Sequence, residues 1–89
     1  MIKKSVTIGL ADGLEARPIA MLVQTATKFS SSVYLDVENK RVNAKSIMGL
    51  MMLAAEFGSF VTLPTNGSDE KEAFDTIKNL FDNKFNEEF

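Results

Sequence analysis

The 89-residue chain is predicted to fold as one α+β domain, residues 1–89, with an antiparallel sheet that carries helices on one face. Two observations lead to this prediction. Segments with alternating polarity are interspersed with segments of helical spacing, in the order β-α-β-β-α-β-α. The strand segments are also short and alternate in polarity, which is typical of antiparallel sheets with one solvated face. We therefore expect a four-stranded antiparallel sheet covered on one face by three helices.

The first strand and the first helix follow from a change in the spacing of apolar residues. Val6 and Ile8 alternate with polar neighbours, which predicts a strand over about residues 2 to 8. From Ala16 onward, apolar residues recur every three or four positions and predict an amphipathic helix that ends near Phe29.

Two alternating segments in the middle of the chain predict a hairpin. Residues 33–37 form its first strand, residues 40–43 form its second, and Glu38-Asn39 is the turn between them. Asn39 is expected to supply any positive φ that the turn needs, because asparagine tolerates the left-handed region.

The last strand and helix are marked by turn-forming residues. Residues 60–63 predict a strand, and Pro64 predicts either its end or an exposed edge, because proline donates no ladder hydrogen bond. Asn66-Gly67 predicts a turn, and a third helix is expected from about residue 69 to 85. Its start resembles a capping arrangement of Asp69 with Glu72, and its apolar stripe comprises Phe74, Ile77, Phe81 and Phe85.

The helix predicted between Ser46 and Gly58 has apolar side chains all around it. Leu50, Leu53 and Ala54 can share a buried face. Methionine often fills gaps in a core, but so short a helix cannot bury every apolar side chain that it carries. We therefore expect part of the ring to be an exposed surface for a partner. Its candidate members are Ile47, Met48, Met51 and Met52.

Ser46 precedes this helix at the N-cap position, where its hydroxyl can accept a hydrogen bond from a free backbone N–H. A capping role alone explains a serine at such a place. Phosphorylation is the functional alternative, because a phosphate there would face the positive end of the helix and alter the surface beside Ile47, Met48 and Met51.

Composition excludes several kinds of chemistry. The chain has no cysteine and no histidine, so disulfides, thiolate metal sites and histidine-based catalysis are excluded. Lys and Arg are scattered among acids, the net charge is −2, and no direct nucleic-acid binding is expected. No apolar run suits a membrane span or a signal peptide, so we expect a cytoplasmic protein without a membrane partner. We also expect no cofactor, no metal and no enzymatic activity.

Two separated motifs, GLEARPIAMLVQTATKF and VNAKSIMGLMMLA, resemble the HPr family of the bacterial sugar phosphotransferase system. The resemblance covers essentially the whole chain and implies an HPr-like open-faced β-sandwich. In phosphocarrier members, the residue before Ala-Arg-Pro is the histidine that accepts phosphate from Enzyme I. Glu15 stands at that position here, and Arg17 is the residue that would neighbour a phosphate.

The second motif resembles the site at which HPr kinase/phosphorylase modifies a serine, which implies phosphorylation of Ser46. Members that lack the histidine and keep this serine form the Crh (catabolite repression HPr) branch. The resemblance implies that the phosphorylated chain is a corepressor for a LacI-type catabolite control protein. Its docking surface would comprise Arg17, Ile47, Met48 and Met51.

Two other functions remain open at this level. Glu15 could accept a phosphoryl group in a carboxylate-based carrier, or the chain could be an unphosphorylated decoy that binds phosphotransferase components. A carboxylate near the start of a helix stabilises the helix by about 0.3 to 1 kcal/mol, and this structural role is the default interpretation of Glu15. Alternatively, its charge beside Arg17 imitates a phosphorylated carrier. Unchanged partner binding by Glu15→Gln would contradict the mimic.

Overall fold

The computed structural model describes residues 1–8, 16–53, 60–83 and 85, and it confirms the predicted order of strands and helices. The fold is an α+β open-faced sandwich with a four-stranded antiparallel sheet and three helices. The elements are β1 (Ile2–Thr7), α1 (Ala16–Ala26), β2 (Ser32–Val37), β3 (Lys40–Asn43), α2 (Ile47–Leu53), β4 (Phe60–Asn66) and α3 (Glu70–Asp82).

The strands lie in the order β1-β4-β2-β3, and every neighbouring pair is antiparallel. Val6 on β1 is opposite Val61 on β4, and Leu35 on β2 is opposite Val42 on β3. Because side chains alternate between the two faces of a strand, this register puts the apolar residues of neighbouring strands on the same face. That face receives the helices.

The core lies between this face and the helices. Leu22 of α1 and Leu50 of α2 are fully buried, and the ring of Phe81 meets Phe85 edge-on at 5.0 Å between centroids. Such edge-to-face pairs add to the stabilisation that burial alone provides. The predicted burial of Phe74, Ile77, Phe81 and Phe85 is confirmed, but only the first three lie on α3, since Phe85 comes after its end.

Pro64 is where the sequence prediction for the sheet is wrong. The strand does not end there but continues to Asn66, and β4 is a central strand rather than an edge. Pro64 is opposite Lys3 of β1. On the β2 side, the pairs are Ser32 with Asn66, Val33 with Thr65 and Asp36 with Thr62, so the pairing skips Leu63 and Pro64. A gap at this point fits a residue that has no N–H to donate.

The hairpin turn also differs from its prediction. The turn lies at the predicted residues, with Val37 opposite Lys40, but the positive φ lies at Glu38 (55°) and not at Asn39. Two-residue hairpin turns are favoured when their backbone twist matches that of the strands, and this can require a positive φ at the first turn residue. Turn geometry therefore outweighs the preference of asparagine here.

Helices α1 and α3 are shorter than predicted. α1 ends at Ala26 rather than near Phe29, α3 ends at Asp82, and Phe85 has a non-helical φ of 54°. The predicted end of the second helix at Gly58 lies outside the described residues. No helix in the described part of the chain is long and apolar enough to cross a membrane.

Asp69 is the N-cap residue of α3, but its side chain does not cap the helix. The carboxylate instead accepts hydrogen bonds from the backbone N–H groups of Ser30 (3.0 Å) and Ser31 (2.8 Å), and from the Ser31 hydroxyl. The predicted capping arrangement with Glu72 is therefore wrong. A contact with a loop that is distant in sequence has replaced it.

Candidate functional site: the start of α2

The turn before α2 is held by a short network of hydrogen bonds. The side-chain oxygen of Asn43 accepts from Lys45 N at 2.8 Å, and its carbonyl oxygen accepts from Ser46 N at 3.0 Å. The Lys45 ammonium donates to the carbonyl oxygen of Phe29, in the loop after α1, at 2.7 Å. The backbone before Ser46 is therefore held within the turn by Asn43 and against the loop after α1 by Lys45.

Ser46 caps α2 as predicted. Its Oγ accepts a hydrogen bond from Gly49 N at 3.1 Å, and its carbonyl oxygen accepts from Leu50 N at the same distance. The residue is half-buried, and the hydrogen bond that its hydroxyl accepts is partly buried. A Cβ at position 49 would lie 3.3 Å from Ser46 Oγ, which shows how closely the backbone of Gly49 approaches the hydroxyl.

Next to Ser46, four apolar side chains face solvent, and we name them the α2 surface. Ile47, Met48, Met51 and Met52 are 48%, 77%, 58% and 78% exposed. Leu50, on the same helix, is fully buried and attaches α2 to the core. The prediction that part of this ring of apolar residues lies outside the core is confirmed. The predicted burial of Leu53 and Ala54 lies outside what the structure describes.

Arg17 is exposed near the start of α1, and α1 packs against α2. Glu15 lies outside the described residues, so its predicted pairing with Arg17 stays a prediction. Within the described residues, no group of three acidic side chains is placed to hold a metal, and no cavity is present.

Sequence reasoning missed the roles of Asn43 and Lys45. A signal for Asn43 was present, because asparagine side chains commonly bond a backbone N–H two residues on. No comparable signal existed for the contact of Lys45 with Phe29, since that contact depends on how the loop after α1 packs in the folded protein.

The described part of the chain thus places a helix-capping serine directly beside exposed apolar side chains. Comparison with known proteins defines the class: residues 2–83 match the family model described as the PTS HPr component phosphorylation site, and the chain belongs to the HPr family.

Its relatives include both branches of that family. The HPr-like protein Crh of Halalkalibacterium halodurans is 49% identical over 77 residues, which cover 86% of this chain and 92% of the relative. The phosphocarrier protein HPr of Treponema pallidum is 47% identical over 88 residues, or 99% of this chain and 100% of the relative. The crystal structure of HPr-C-His from Thermoanaerobacter tengcongensis superposes with a TM-score of 0.90 at 46% identity, covering both chains fully.

Family membership has two direct consequences. HPr and Crh proteins are phosphocarriers or regulators, not enzymes, and this chain is likewise not an enzyme. Membership also implies interaction with components of the phosphotransferase system.

Proposed function

We propose that the chain is a regulator of carbon catabolite repression, switched by phosphorylation of Ser46. HPr kinase/phosphorylase would transfer the γ-phosphoryl group of ATP to Oγ, so that an O–P bond forms, ADP leaves and the hydroxyl proton is released. The phosphorylated protein would then be a corepressor for a LacI-type catabolite control protein. One observation carries the proposal: the half-buried Ser46 caps α2 from a fixed turn, directly beside exposed apolar side chains.

The turn supports Ser46 as the acceptor. Its hydrogen bonds to Asn43 and from Lys45 fix the backbone in the absence of a partner, so little ordering would be needed when a kinase binds. Phosphate oxygens are strong acceptors and can take over the hydrogen bond from Gly49 N that the hydroxyl accepts now. Phosphorylation would thus preserve α2 and change the charge beside it.

The α2 surface supports a protein partner. Exposed apolar side chains in one cluster are typical of binding surfaces, and methionine adapts its shape to what it contacts. We propose Ile47, Met48 and Met51 as docking residues. Arg17 would contribute a guanidinium that can bind a phosphate with two hydrogen bonds.

A histidine-dependent carrier function is excluded, because the chain contains no histidine. Since several relatives are phosphocarriers, a carrier that uses the carboxylate of Glu15 is the second candidate. We propose further that the protein is cytoplasmic, where the kinase and repressor act, and that it reaches DNA only through the repressor.

Mass spectrometry distinguishes these functions. The protein is incubated with HPr kinase/phosphorylase and ATP, and separately with Enzyme I and phosphoenolpyruvate, and modified peptides are mapped. We expect one phosphate on Ser46 from the kinase and none from Enzyme I. Ser46→Ala removes the acceptor, while Ser32→Ala is the matched control, because Ser32 is an exposed serine on β2. A phosphoryl group on Glu15 from Enzyme I would replace the proposal with the carrier, and no transfer in either reaction would favour the decoy.

Docking is tested with the phosphorylated protein and the catabolite control protein. Met48→Lys puts a charge into the proposed interface and should weaken binding by roughly tenfold or more, about 1.4 kcal/mol. Thr76→Lys adds the same charge on the exposed side of α3 and should leave binding unchanged. Equal affinities for the two variants would exclude the α2 surface as the docking site.

A further inference from the structure

Three of the five methionines lie side by side on one short helix. Met48, Met51 and Met52 expose 77%, 58% and 78% of their surface. Met21 of α1, by contrast, is half-buried and packs against the core. The α2 surface therefore presents a cluster of thioether sulfurs to solvent, directly after the serine on which the proposed function depends.

We propose that Met48, Met51 and Met52 form an oxidation site, at which hydrogen peroxide converts the α2 surface from apolar to polar. Each thioether sulfur attacks one peroxide oxygen, so that an S–O bond forms, the O–O bond breaks and water leaves. The sulfur loses two electrons and the peroxide is reduced to water. The product is methionine sulfoxide, which methionine sulfoxide reductases return to the thioether.

The fold accommodates this modification because none of the three sulfurs serves the core. α2 is held by the fully buried Leu50 and by the bond from Gly49 N to Ser46 Oγ, and oxidation changes neither contact. Methionine oxidation disrupts a protein when the side chain is buried. Here it changes a surface and leaves a folded protein.

The regulatory consequence rests on the proposed function. A partner that packs against Met48, Met51 and Met52 excludes water from them, and a sulfoxide oxygen would then lose its hydrogen bonds to water. We therefore infer that oxidation opposes docking of the Ser46-phosphorylated protein. The α2 surface would then combine two inputs: phosphate on Ser46 favours binding, and oxidant weakens it.

The modification site is tested first, without any partner. The protein is treated with increasing hydrogen peroxide, and each methionine is followed by peptide mapping. We expect Met48, Met51 and Met52 to oxidise several-fold faster than Met21. Met1, which is 71% exposed and directly precedes β1, is the reference for an exposed methionine outside α2. Retention on a hydrophobic-interaction column should fall while the thermal unfolding transition is retained.

The regulatory consequence is tested with protein that is phosphorylated on Ser46 before oxidation. Peroxide should weaken binding to the catabolite control protein by roughly tenfold, and methionine sulfoxide reductase should restore it. The triple variant Met48→Leu, Met51→Leu, Met52→Leu removes the three sulfurs and keeps apolar side chains of similar volume, so its affinity, compared before and after treatment, should not change with peroxide. Met21→Leu is the matched control: it leaves the α2 surface intact, so it should bind as the wild type does and should still lose binding on peroxide treatment.

The outcomes separate the two proposals. Oxidation of Met21 as fast as the α2 methionines, or loss of the folded state on treatment, would overturn the oxidation site. Tight binding by the fully oxidised protein would overturn its effect on docking. If the reduced, phosphorylated protein does not bind the repressor at all, the proposed function fails, whereas the oxidation rates and column retention still decide the modification site.

Discussion

Ser31 is a polar residue inside the structure, with 1% of its surface exposed. Its backbone N–H and its hydroxyl both donate to the Asp69 carboxylate, and Asp69 N in turn donates to Ser31 Oγ at 3.2 Å. These bonds, together with one from Ser30 N, lower the pKa of Asp69, since donors favour the ionised form. One side chain thus joins the loop after α1 to the start of α3.

Asp69→Asn tests this contact through pH. A lowered pKa means that the folded state binds the proton less tightly than the unfolded chain does, so the stabilisation is full above the unfolded pKa and is lost as pH falls through the folded one. We expect the variant to be less stable than wild type at neutral pH, and the difference to shrink in strong acid. Urea denaturation at a series of pH values measures it.

Asp75→Asn is the matched control for that experiment. It removes a carboxylate from the exposed side of α3, where Asp75 pairs with Lys71, and exposed pairs of this kind contribute about 0 to 1 kcal/mol. A stability difference for Asp69→Asn that does not change with pH would contradict the assignment.

The contact between Ser31 and Asp69 also requires a glycine at position 67. Its φ is +150°, and a Cβ there would lie 2.5 Å from Ser31 Oγ and 2.7 Å from Ser31 Cα. Backbone cannot move aside as a flexible side chain can. Gly67→Ala should therefore reduce the free energy of unfolding by about 1 to 3 kcal/mol, measured by urea denaturation. A change below about 0.5 kcal/mol, the range of ordinary surface substitutions, would show that the turn rearranges freely.

At the scale of elements, α2 depends on its cap because it has only seven residues. Ser46→Ala removes the acceptor for Gly49 N and should cost about 0.5 to 2 kcal/mol of stability. Ser46→Asp should restore most of this loss, since aspartate caps helices about as well as serine. Thermal or urea unfolding of both variants gives the comparison. Equal stabilities of the two variants would indicate that the capping bond contributes little in solution.

The order of strands and helices, and the alternation of polar and apolar residues along each strand, could be predicted from the sequence because they depend on local periodicity. The exposure of Met48 and Met51 was also predictable, since six of the seven residues of α2 carry apolar side chains, more than one core face can bury. Pro64 was misjudged because its local preference is for edges, while its place in the sheet depends on β1 and β2. Asp69 was misjudged for a similar reason, since its partner Ser31 is 38 residues away.

At the scale of the whole molecule, stability should depend strongly on single core residues. A chain of this length has a free energy of unfolding of about 5 to 13 kcal/mol. Phe81 is 1% exposed, and Phe81→Ala should cost about 3 to 5 kcal/mol, leaving a marginally stable protein. Phe60→Ala is the same substitution at a side chain that is 65% exposed, and it should cost far less. Chemical denaturation of the pair makes the comparison, and similar losses would contradict the described core.

The strand order β1-β4-β2-β3 has a consequence for how the protein is made. β4 is the last strand to be synthesised, yet it lies between β1 and β2 and pairs with both. Until Phe60–Asn66 leaves the ribosome, the first strand has no partner and the β2–β3 hairpin stands alone, a unit that is at best marginally stable in water. Synthesis of most of the chain must therefore precede formation of its sheet, and the nascent protein keeps unpaired strand edges that chaperones can bind.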